Sequence, residues 1–211
     1  MSSRSQTRGK SLTLVLGGAQ SGKSYYAQRL ATEFQVVTFI ATAQASDGEM
    51  REKIARHRAE RPAGWRTIEA PFDLSARIRS ESRDADALVV DCLTVYVSNL
   101  MSRRKRGSCN QKHHIDNLCG ALQEVSIPVI VVSNEVGSGV VPPYRSGRVF
   151  RDFLGQMNRR VAEIAGTVVL MIAGLPLIVK SAQLMKSPAG TRIADATMID
   201  VQSANGVRKG N

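Results

Sequence analysis

The residues whose types and spacing point most directly to chemistry are Gly17-Gly18-Ala19-Gln20-Ser21-Gly22-Lys23-Ser24, in the pattern G-x-x-x-x-G-K-S. Glycines let the backbone curl so that several N–H groups face the oxygens of a phosphate. A following helix adds the positive end of its dipole. Lys23 supplies a mobile charge for the β- and γ-phosphates, and Ser24 a hydroxyl for Mg²⁺. A Gly/Ser turn with a chance lysine is the bland alternative. It is opposed by context: an apolar run, residues 12–16, stands just before the stretch and a helix-like segment, 24–34, just after it.

Two further residues offer partners to such a loop. Asp91 closes the apolar run Ala87-Leu88-Val89-Val90. An acid at the end of an apolar strand is where a phosphate-loop enzyme places the carboxylate that holds Mg²⁺, although a strand-end Asp also caps ordinary turns. His57 sits among Lys53, Arg56, Arg58 and Arg61. Nearby cations disfavour the imidazolium, so the ring is expected to be neutral and able to attack or to accept a proton. A neutral imidazole beside phosphate-binding arginines suits formation of a nucleotidyl-histidine. A packed or surface helix histidine is the other reading, and composition does not separate the two. Glu69, Asn134 and Glu135 follow apolar runs and converge on the same expected edge. His113 and His114 lack a third ligand at metal spacing and receive no role.

These residues must be positioned by an alternation of strands and helices. Strands are expected at 12–16, 36–40, 65–69, 87–91, 129–133, 168–172 and, as an edge, 175–179. Helices are expected at 24–34, 47–60, 73–82, within 92–100, 115–124 and 148–164. Such alternation implies a mainly parallel sheet with helices on both faces, and ligands gather at the carboxyl ends of its strands. That places Ala41, Thr42 and Ala43 near the glycine-rich loop. Residues 102–114 read as a basic loop without periodicity. Residues 1–10 read as a disordered basic tail, 11–180 as one catalytic domain and 181–211 as a loose extension.

The 211-residue chain suits one domain with a sizeable core, and 43% hydrophobic residues are ordinary for a globular protein. No stretch reaches the length of a membrane span, and the polar N-terminus lacks the apolar core of a secretory signal. Three cysteines without metal-type spacing fit a reducing cytoplasm. The net charge of +11 arises from residues 1–10, 103–114 and 180–211, leaving the remainder neutral. Charge confined to tails and a loop favours solvation over a nucleic-acid interface, so no nucleic-acid partner is expected.

The assembled motifs resemble a known family. LVLGGAQSGKSYYAQRLA, then FIATAQASDGEMREKIARHRAERPAGWRTIEAP, VVDCLTVYVSNL, VVSNEVGSGVVP, FRDFLGQMNRRVA and IAGLPLIVK run from residue 12 to Lys180. They are similar to the bifunctional adenosylcobinamide kinase / adenosylcobinamide-phosphate guanylyltransferase family of cobalamin biosynthesis. The block His57-x-x-x-Arg61-Pro62-x-x-Trp65 and the stretch Ser133 to Pro142 carry most of that specificity. The resemblance implies a RecA-like P-loop fold, with ATP or GTP phosphorylating adenosylcobinamide. GMP then passes from GTP to the product through a phosphoramidate on His57. It also implies that Gly18, Ala19, Gln20, Ser21, Gly22, Lys23, Ser24 and Tyr25 bind nucleotide, as do Ala41 to Ala43, Arg58, Ala59, Glu60, Arg61, Glu69 and Asp91. Ser24 and Asp91 would hold Mg²⁺, and the assembly would be a homotrimer. The chain departs from the family at Pro142-Pro143-Tyr144, where Pro-Glu-Asn is usual.

Overall fold

A computed structural model describes residues 11–44, 61–103 and 110–181. The segments 1–10, 45–60, 104–109 and 182–211 lie outside the described residues, and with them His57, Arg58, Ala59 and Glu60 and the helix expected at 47–60.

In chain order the elements are β1 (Leu12–Gly17), α1 (Lys23–Ala31), β2 (Val37–Ala41), β3 (Arg66–Glu69), α2 (Leu74–Glu81), β4 (Ala87–Asp91), α3 (Leu93–Ser102), α4 (Gln111–Glu124), β5 (Val129–Val132), α5 (Arg145–Ile164), β6 (Thr167–Ile172) and β7 (Leu175–Lys180). They form one seven-stranded sheet in the order β3-β2-β4-β5-β1-β6-β7. Every pairing is parallel except the hairpin β6–β7. One strand, β5, therefore stands between the strand feeding the glycine-rich loop and the strand ending in Asp91, which is the RecA-like order.

The central strands are buried on both faces, and successive residues alternate between two cores. Leu14, Ile40, Leu88, Val90, Val129 and Val131 face α2 to α5. Val15, Phe39, Val89, Ile130 and Val169 face α1, through Ala27 and Ala31. Each fully buried aliphatic or aromatic side chain contributes about 1.5–3 kcal/mol. Helix α5 shows why such a helix docks: Phe153, Leu154, Met157 and Val161 recur at helical spacing and are fully buried. Its C-terminal carbonyls are held by Lys180, whose Nζ donates to Ala162 O at 2.9 Å and Glu163 O at 3.0 Å.

The basic stretch expected as a loop through residue 114 needs correction. Residues 111–114 are the first turn of α4, because the Asn110 side chain caps it by accepting from His113 N at 3.0 Å. Two helices are also shifted relative to expectation, with α1 ending at Ala31 and α5 beginning at Arg145.

Candidate active site

The glycine-rich loop leaves β1 under tight steric control. A Cβ on Gly17 would lie 2.5 Å from Ser21 Oγ and 2.6 Å from the Met171 carbonyl oxygen, and its φ of +154° lies where side chains are rare. A Cβ added to Gly22, at φ +87°, would lie 3.5 Å from Gly174 Cα, and Gly174 N donates to Ser21 O at 3.2 Å. The β6–β7 turn thus buttresses the loop. Helix α1 then starts with no side-chain cap. Its first-turn N–H groups are left for an external acceptor.

Lys23 is 7% exposed and folds back over the loop. Its Nζ donates to the Gly18 carbonyl and, at 3.4 Å, to Ser21 Oγ. Burial lowers its pKa, while the nearby Cys92 and Asp91 act in the opposite direction. The field of Asp91 reaches Lys23, so the carboxylate and the ammonium share one neighbourhood. A polyphosphate entering the loop would complete the coordination of this half-satisfied cation.

The neighbouring strand ends are laced together. Glu69, Ala41 and Asp91 stand side by side in register on β3, β2 and β4. Glu69 is exposed at the outer end of this row. Adjacent strands lie ~4.8 Å apart, which sets Glu69 ~10 Å from Asp91 along the edge. Thr42 is fully buried and both donates to Cys92 O at 2.7 Å and accepts from Cys92 N at 2.9 Å. Asn99 of α3 donates to Thr42 O at 2.8 Å and Pro71 O at 3.1 Å. Helix α3 therefore lies across the strand ends rather than down the sheet. On the other side, Glu135 N donates to Gly17 O at 3.0 Å and Asn134 N to Thr94 Oγ1 at 2.8 Å. Asn158 Nδ2 donates to Asn134 O at 3.0 Å.

The structure thus brings Gly18 to Ser24, Ala41 to Ala43 and Asp91 to one stretch of the edge, with Asn134 and Glu135 adjoining. Arg61 is placed differently: its guanidinium stacks 3.6 Å from the Phe39 ring centroid and donates to Thr67 Oγ1 at 3.1 Å. Those contacts hold it against β2 and β3, on the face that α1 covers. Sequence reasoning missed Thr94, Asn99, Asn158 and Gly174. Asn158 had a local signal, since an amide interrupts the apolar stripe between Leu154 and Val161.

Residues 13–179 match the family described as cobinamide kinase / cobinamide phosphate guanyltransferase. This chain belongs to that family. It is 44% identical over 176 residues to the bifunctional adenosylcobalamin biosynthesis protein CobP of Pseudomonas aeruginosa, covering 81% of this chain and 98% of the relative. The bifunctional adenosylcobalamin biosynthesis proteins CobU of Salmonella typhimurium and Escherichia coli are 36% and 34% identical, each over 80% of this chain and 99% of the relative.

The family match spans every residue described above, from the glycine-rich loop to the Gly174 turn. Within it, the thiol of Cys92 sits beside Asp91 and Lys23. Burial and the Asp91 charge push its pKa up to about 11, which keeps it protonated and unreactive at neutral pH. Tyr26 of α1, partly buried against the core on that face, has its pKa raised by burial, with Arg29 opposing. Among the described residues no helix is long and apolar enough to cross a membrane.

Proposed function

We propose that this chain phosphorylates the aminopropanol hydroxyl of adenosylcobinamide with ATP or GTP, then transfers GMP from GTP to that phosphate. The products of the second step are adenosylcobinamide-GDP and pyrophosphate. The observation that carries the reading is membership of the kinase/guanyltransferase family together with a complete glycine-rich loop set against Asp91.

In both reactions the loop cradles the triphosphate. Backbone N–H groups of Gly18 to Ser24 and the Lys23 ammonium stabilise charge on the transferring group. Ser24 and Asp91 offer hard oxygen donors, the chemistry Mg²⁺ selects, and these residues would hold it. The bound ion would neutralise phosphate charge. Tyr25 is 68% exposed beside the loop and is free to stack on a base. Thr42 acts by holding the Cys92 backbone, and its own N–H and carbonyl are taken by Asp91 O and Asn99, so Ala41 to Ala43 form a fixed wall of the nucleotide site. Glu69, Arg58, Ala59 and Glu60 complete the proposed nucleotide site, and Arg61 would join it by leaving its seat on Phe39 and Thr67.

In the second reaction His57 attacks the α-phosphorus. A P–N bond forms and the bond to pyrophosphate breaks. The phosphate of the acceptor then attacks the same phosphorus, the P–N bond breaks and the imidazole is released. We further propose a homotrimer in the cytoplasm. The exposed apolar side chains Ile172, Leu175, Leu177, Ile178 and Val179 along the β6–β7 hairpin support self-association. Pro176, on that edge strand, disfavours simple strand addition, so packing face to face is the expected mode.

The test is incubation with GTP labelled at the α-phosphate. Acid-labile, alkali-stable label should appear on the protein, and His57→Ala should lose it while retaining kinase turnover. Label persisting on His57→Ala would remove the role given to His57. Failure of adenosylcobinamide to gain either a phosphate or GMP, read by mass, would remove the whole reading.

A further inference from the structure

We infer that the recess of about 560 Å³ lined by Met101, Gln111, Arg145, Ser146 and Val149 receives the corrin macrocycle of the acceptor. The assignment rests on the function proposed above and adds the place where the larger substrate is held.

Its position follows from the fold. Helix α3 runs along the carboxyl edge of the sheet, since Asn99 reaches Thr42 O and Pro71 O, and Met101 is two residues further on. Asn158 of α5 is level with the end of β5 through its bond to Asn134 O. Arg145 comes thirteen residues earlier on the same helix, which puts it ~20 Å beyond the strand ends at 1.5 Å per residue. The start of α4 at Gln111 closes the third side. The recess therefore overhangs the edge that carries the glycine-rich loop, on the face opposite α1. A triphosphate fixed at Gly17 to Ser24 leaves it open. A macrocycle seated there presents its flexible aminopropanol arm back toward the loop.

The lining chemistry selects a ligand of this class. Met101 and Val149 give an adaptable apolar wall for a ring face. Gln111 and Ser146 are neutral hydrogen-bonding groups, matched to peripheral carboxamides. Arg145 adds donors for carbonyl oxygens, and among the described residues no acid lines the recess. The other arginines of α5 are already engaged. Arg148 donates to Pro142 O and Pro143 O, Arg151 pairs with Asp152, and Arg159 and Arg160 pair with Glu163. Among the described residues Arg145 makes no ion pair or side-chain hydrogen bond and is exposed.

The experiment uses the full-length enzyme with Val149→Trp, which narrows the recess, and Arg145→Ala, which alters only an exposed side chain. Michaelis constants for adenosylcobinamide and for GTP are measured in the kinase reaction. Self-labelling by α-labelled GTP without corrinoid is followed in parallel. Each variant should raise KM for adenosylcobinamide about tenfold or more, with KM for GTP and self-labelling unchanged. An unchanged KM for adenosylcobinamide in both variants overturns the assignment, as does a matching rise in KM for GTP. If Val149→Trp fails to fold, Arg145→Ala alone decides. Absence of turnover in the unmodified enzyme would instead strike at the proposed function.

Discussion

Replacing Gly17 by Ala tests whether the loop is held by sterics or only by sequence habit. The added methyl would meet the Met171 carbonyl oxygen at 2.6 Å, and that oxygen belongs to backbone paired with β1 in register. It would also meet Ser21 Oγ at 2.5 Å, an atom that can rotate away. A φ of +154° adds backbone strain of about 1–3 kcal/mol for any residue with a Cβ. Relieving the overlap by parting β1 from β6 costs about 1–3 kcal/mol more. A loss of about 2–6 kcal/mol in a chain of this size lowers Tm by at least about 4 °C. The same parting spreads the loop, so the stabilisation of about 3 kcal/mol that GTP gives at a hundredfold excess over Kd should vanish. The assay is thermal denaturation with and without GTP. Gly18→Ala is the control: its Cβ meets nothing within 4 Å, so its nucleotide-free Tm should stay within about 1 °C of wild type. A Gly17→Ala protein with unchanged Tm and intact stabilisation by GTP would refute the steric account.

Three further expectations follow from the same edge. Burial lowers the Lys23 pKa below the ordinary 10.5, so the folded apo protein sheds this proton where the unfolded chain keeps it. Apo stability should therefore rise with pH between the lowered value and 10.5, while GTP affinity falls over that window, and Lys23→Met should flatten both dependences in calorimetric titrations. Thr42→Val keeps the shape but removes both hydrogen bonds to the Cys92 backbone; denaturant unfolding should register a loss of about 1–3 kcal/mol, and an unchanged midpoint would show that water replaces them. With its pKa at about 11, the half-buried Cys92 should react only slowly with iodoacetamide at neutral pH in the native protein and faster after denaturation, as read by peptide mass; rapid native alkylation would contradict the raised pKa.

Much of this molecule was legible in local pattern. The loop from Gly17 to Ser24, the apolar strands and the acid closing β4 each depend on a few consecutive residues, so spacing and residue type suffice. Strand β4 falls on the expected residues 87–91, and β7 is the expected edge. The start of α4 was obscured because a run of basic residues hides the single capping side chain of Asn110. Tertiary structure alone decided the insertion of β5 between β1 and β4 and the course of α3 across the strand ends. It also decided the clamp joining Thr42, Cys92 and Asn99, whose members are 50 and 57 residues apart in the chain. The recess between the end of α3 and the starts of α4 and α5 is of the same kind. Periodicity reports which face of an element is apolar, but not which distant element will cover it. Contacts across such separations depend on how whole layers pack, and no short window of residues encodes that.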